Sequence, residues 1–65
     1  MTTTITEFDT EHEAREYRYT NATGGWIFVP EDGGKVLLFS PEIYPHAIFH
    51  HPITKGRTGK LVGTQ

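Results

Sequence analysis

Trp26-Ile27-Phe28-Val29-Pro30-Glu31-Asp32-Gly33-Gly34-Lys35-Val36-Leu37-Leu38-Phe39 places two short β-type apolar runs on either side of a Pro-Glu-Asp-Gly-Gly turn, the pattern of a β-hairpin. A two-residue type I′ turn at Asp32-Gly33 and a four-residue loop closed by Pro30 and Lys35 give the same register. Val29 then faces Val36, Phe28 faces Leu37, Ile27 faces Leu38 and Trp26 faces Phe39. Side chains on a strand alternate between faces at period two, so one face is aromatic (Trp26, Phe28, Leu37, Phe39) and the other aliphatic (Ile27, Val29, Val36, Leu38). A hairpin wetted on one side alternates apolar with polar residues; this one expects cover on both.

On the N-terminal side, residues 2–8 are rich in β-branched residues, the composition of an edge strand or of an irregular terminus, with Ile5 and Phe8 strongly apolar. Thr10 followed three residues later by Glu13 has the spacing of a capping box. Glu11 and Arg15 stand four apart in the favourable order for a helix. A short helix is expected over about 10–18, with Ala14, Tyr17 and the stem of Arg18 turned inward. The competing reading takes 15–20 as a strand, since Tyr17 and Tyr19 alternate with Arg18 and Thr20; residues 21–25 would then be a hairpin loop in an all-β meander.

After the hairpin, Ser40-Pro41-Glu42 suits a cap and a first helical position, but Pro45 interrupts anything longer than a turn. Pro45 itself suits the start of a helix over 45–51 that Pro52 stops. Ile43, Tyr44, Ile48 and Phe49 offer cover for a sheet face. With the first helix they suffice for one face of the hairpin and hardly for two. From Thr54 onward the chain is basic and rich in glycine and threonine, with Leu61-Val62 the one candidate for an edge strand. The expected fold is therefore α+β, a small antiparallel sheet built on the 26–39 hairpin with one or two short helices. Residues 1–53 form a single globular domain and 54–65 a flexible basic tail.

Sixty-five residues is one domain, near the lower limit for a single unstapled core. The absence of cysteine rules out disulfides and cysteine-rich zinc modules and fits a reducing compartment. No apolar run reaches membrane-spanning length and the N-terminus lacks a secretory pattern, so a cytoplasmic protein is expected. Net charge is −2 but uneven. Glu7, Asp9, Glu11, Glu13, Glu16, Glu31 and Asp32 oppose only Arg15 and Arg18 in the first 34 residues, whereas Lys35, Lys55, Arg57 and Lys60 oppose only Glu42 in the remainder. Such asymmetry marks either a basic tail for nucleic acid or two surfaces that meet each other.

Chemistry has few footholds. His46 and His50 stand four apart, the spacing of two metal ligands on one helix face, with His51 adjacent; two ligands make no site, and no cofactor or metal is expected. Gly56-Arg57-Thr58-Gly59-Lys60 lacks the spacing and the hydroxyl residue of a phosphate-binding loop. The single serine, Ser40, suits a turn better than a nucleophile, and no carboxylates pair beside an apolar pocket. No enzyme is expected. The leading expectation is a small interaction or regulatory module that self-associates, as a homodimer, or binds another protein through Trp26, Phe28, Leu37 and Phe39. The alternative is a nucleic-acid-binding accessory protein using Lys55, Arg57 and Lys60.

Overall fold

The structure, a computed structural model, describes residues 3–41 and 44–63. Six elements follow in order: β1 (Thr4–Phe8), α1 (Glu11–Asn21), β2 (Trp26–Pro30), β3 (Val36–Ser40), α2 (Pro45–Ile48) and β4 (Gly59–Val62). The strands form one antiparallel sheet in the order β1-β3-β2-β4. The fold is α+β, as the sequence predicts, and the all-β alternative with a strand at 15–20 is excluded because those residues lie inside α1.

The hairpin β2–β3 occupies the centre of the sheet in the predicted register, with Trp26 opposite Phe39, Ile27 opposite Leu38 and Phe28 opposite Leu37. Its turn is not type I′, which requires positive φ at both central residues. Among the turn residues only Gly33 has one, at +81°. Asp32 instead accepts a hydrogen bond from the Gly34 N–H (2.8 Å), an Asx turn inside a longer loop. The register is indifferent to this difference.

Strand β1 pairs along β3, from Thr4 opposite Ser40 to Phe8 opposite Val36. On the other side β4 pairs along β2, from Ile27 opposite Val62 to Pro30 opposite Gly59. Within the described part of the expected tail, residues 54–63, Gly59–Val62 is the second edge strand, and Thr54, ahead of it, is fully buried. Its hydroxyl donates to the Ile48 carbonyl, and its N–H to the His51 carbonyl at 3.0 Å. A boundary at 53/54 would cut through the core.

Topology explains why both faces are covered. Strands β1 and β2 run the same way with β3 between them, so the connection through α1 must cross one face of the sheet. Strands β3 and β4 likewise run the same way with β2 between them, and the connection through α2 must cross a face too. Two crossovers of one hand, on strand pairs of opposite direction, fall on opposite faces, and crossovers between parallel strands keep one hand almost without exception. The observed packing agrees. Ala14 of α1 packs with Ile27, Val36 and Leu38, joined by Phe8, Val29 and Val62. Ile48 of α2 packs with Phe28, Leu37 and Phe39, joined by Ile5, Trp26 and Leu61. The aliphatic face thus takes α1 and the aromatic face α2.

Helix α1 begins as predicted. The Thr10 hydroxyl accepts from the Glu13 N–H (3.1 Å) and the Glu13 carboxylate accepts from the Thr10 N–H (3.2 Å), a complete capping box. It runs three residues past the expected end and stops at Ala22, whose φ of +51° is left-handed. Helix α2 is shorter than expected, ending at Ile48, with turns from there to Gly56. Ile43, expected to help cover a face, lies outside the described residues, as does Glu42. The close fit of the α1–β2 connection shows at Gly25, with φ +90°, where a Cβ would run into the Phe39 and Pro41 carbonyls.

A left-handed residue with a Cβ is strained by about 1–2 kcal/mol, against which glycine costs about 0.5–1 kcal/mol in chain entropy. Ala22→Gly is therefore expected to stabilise the protein by about 0.5–1 kcal/mol, read as a higher urea midpoint with an unchanged slope.

Candidate functional site

Trp26, Phe28, Leu37 and Phe39 all point to the side of the sheet that the α2 crossover covers. Phe28 and Phe39 are 0% exposed and Leu37 1%, while Trp26 is half-buried. Phe49 meets the Phe28 ring edge-on at 5.9 Å between centroids, His51 meets Phe39 similarly at 5.6 Å, and Ile48 is buried between them. The expected shortage of cover is corrected here. Residues 48–54 close the aromatic face, because the turns after α2 fold back over it and the buried Thr54 ties them to Ile48. Of the four residues expected at an interface, Phe28, Leu37 and Phe39 are removed from solvent and Trp26 keeps part of its surface exposed.

The basic residues of the C-terminal half return to the acidic half. Lys35 pairs with Asp9, Arg57 with Asp32 (3.3 Å) and Lys60 with Glu11 (3.4 Å). Three of the four cations after residue 34 are thus matched to carboxylates before it, so the uneven charge along the sequence becomes complementarity within one chain. Each such surface pair is worth only about 0–1 kcal/mol. Arg57 also lays its guanidinium over the Phe28 ring, 5.7 Å from the centroid. Lys55 is exposed and meets no carboxylate among the described residues. The three residues expected to bind nucleic acid therefore do not form a free basic stretch.

His46 lies in α2, stacked beside Tyr44 at 6.0 Å. Because α2 ends at Ile48, His50 falls in the following turn rather than on a continuing helix face. The Nδ1 of His51 accepts from the Ile53 N–H (3.2 Å). Among the described residues no group of three or more His, Cys, Asp or Glu gathers at metal-binding distance.

The feature that sequence reasoning missed is a groove of about 1060 Å³ between α1 and β4. Arg15, Arg18, Tyr19, Ala22 and Gly24 line it from the helix and its exit, and Lys60, Leu61, Val62 and Gly63 from the edge strand. Arg15 Nε donates to one oxygen of Glu11 (2.9 Å) while Lys60 approaches the other. These bonds, Arg15's first, lower the Glu11 pKa below its usual value. Arg18 donates through Nη1 to the carbonyls of Val62 (3.0 Å) and Gly25 (3.4 Å), pinning the helix to β4. Burial, and then the like charge of Arg15, lowers its pKa. The Arg15/Arg18 spacing is visible in the sequence, but Lys60 joins them only because β4 is a strand.

No family model, curated protein or solved structure matches this chain, so its chemistry is read from its own geometry.

Two ion pairs give stability a pH dependence of definite sign. The Asp32 pKa is lowered, first by the Gly34 N–H and then by Arg57. Its contribution is present above the ordinary aspartate range and lost as pH falls below about 4. The Lys35 pKa is raised by its hydrogen bond to Asp9. That contribution is present below the ordinary lysine range and lost as pH rises above about 10. Thermal melts across pH are expected to show both losses, with Asp32→Asn flattening the acid limb and Lys35→Gln the alkaline one.

Proposed function

We propose that this protein is a small non-enzymatic interaction module, cytoplasmic in setting, that associates with a second copy of itself through the outer surface of residues 44–53. The observation that carries this reading is the placement of exposed large apolar side chains. Tyr44 is 76% exposed, and Phe49 and Ile53 are also exposed, around an Ile48 that is fully buried. Side chains of this kind gain most when another surface removes them from water, and aromatic residues are enriched at the centres of interfaces. The proposed surface stays on the aromatic side of the sheet, one layer further out than the hairpin residues themselves. Phe28 and Phe39 support it from beneath by packing Phe49 and His51.

Nucleic-acid binding through Lys55, Arg57 and Lys60 as one stretch has less to support it, since Arg57 pairs with Asp32 and lies over the Phe28 ring, and neither it nor Lys55 lines the groove that Lys60 enters.

Sedimentation velocity over a concentration series up to about 100 μM, ample for an association of micromolar Kd, is expected to show a dimer. The Tyr44→Ser/Ile53→Ser variant is expected to remain monomeric with an unchanged circular dichroism spectrum. A wild-type chain that stays monomeric throughout would overturn the reading.

A further inference from the structure

In a chain of net charge −2, the groove between α1 and β4 concentrates positive charge. Arg15 and Arg18 lie one helical turn apart on α1, Lys60 reaches in from β4, and all three line the groove. Arg15 and Lys60 share the single carboxylate of Glu11, and Arg18 meets none among the described residues. Three cations around one carboxylate leave a local charge of +2. A phosphate monoester carries about −1.5 to −2 at neutral pH, which matches that excess.

The C-terminal end of a helix ordinarily repels an anion. Here three of the carbonyls near that end already accept hydrogen bonds. The Tyr17 carbonyl accepts from the Asn21 side chain (3.0 Å), that of Arg18 from the Thr23 N–H (3.3 Å) and that of Tyr19 from the Ala22 N–H (3.3 Å). Arg15, Arg18 and Lys60 are the charged residues that line the groove. At its rim stands Tyr19, 88% exposed and without a ring partner among the described residues. An aromatic ring held in water beside a cationic groove is a platform for a planar base, and stacking of this kind is indifferent to base identity. The volume of about 1060 Å³ accommodates a ligand of that size.

We propose that this groove binds a nucleoside phosphate, free or as a unit of a single strand, with the phosphate held by Arg15, Arg18 and Lys60 and the base stacked on Tyr19. The site is independent of the 44–53 surface and shares only Lys60 with the basic residues that the sequence singles out.

The test is an amide NMR titration of the full chain with adenosine monophosphate, with adenosine, inorganic phosphate and a short single-stranded oligoadenylate as separate arms. Saturable shifts at Arg18, Tyr19, Lys60 and Gly63 with adenosine monophosphate are expected, about tenfold weaker with either half of the molecule alone. Tyr19→Ala is expected to weaken nucleotide binding about fivefold or more and leave phosphate binding unchanged. Glu11→Gln is expected to tighten binding, because it releases Arg15 and Lys60 to the ligand; a purely structural Glu11 would give no gain. Tighter binding of the oligoadenylate at the same amides assigns the site to a strand, and equal or weaker binding assigns it to the free nucleotide. No saturation with adenosine monophosphate, or equal affinity for it and for inorganic phosphate, would overturn the proposal.

Discussion

Everything in this protein follows from a hairpin that is apolar on both faces and sits in the middle of its sheet. Ile27, Phe28, Leu37, Leu38 and Phe39 are all removed from water, and a chain of 65 residues has little apolar material to spare for two faces. The solution is topological rather than compositional. By placing β1 beside β3 and β4 beside β2, the chain obliges each of its two connections to cross a different face. One small buried residue, Ala14, lets α1 lie close to the aliphatic side. Ile48, Phe49, His51 and Thr54 close the aromatic side without a full-length helix.

The same arrangement resolves the charge pattern. Lys35–Asp9, Arg57–Asp32 and Lys60–Glu11 each join the basic half to the acidic half. None of these exposed pairs holds the fold on its own. Their distribution nonetheless leaves the cationic excess in one place, where Arg15, Arg18 and Lys60 crowd around Glu11. That groove and the apolar surface of Tyr44, Phe49 and Ile53 belong to opposite faces of the sheet, one on the α1 side and the other over α2.

The parts of the fold legible in the sequence are those governed by local periodicity. Two apolar runs around a turn give the hairpin and its register, and Thr10 with Glu13 gives the start of α1. The end of α1 was hidden because alanine, not glycine, occupies the left-handed position at residue 22. The last strand was partly hidden because Gly59-Lys60-Leu61-Val62 offers two apolar residues and a composition shared with loops. Cover of the aromatic face was hidden because it depends on Thr54, a polar residue whose burial is made possible by hydrogen bonds to the Ile48 and His51 carbonyls. The groove combines α1 with β4, 45 residues apart between Arg15 and Lys60, and no local pattern joins them.

Native-state hydrogen exchange of the full chain tests most directly whether one chain closes both faces. Amides of Thr54, Lys60 and Val62 are expected to be protected together with those of Ile27, Phe28, Leu37 and Leu38, as one cooperative unit. A protected hairpin with residues 54–62 exchanging at the rate of an unstructured peptide would contradict it, and would return the aromatic face to solvent.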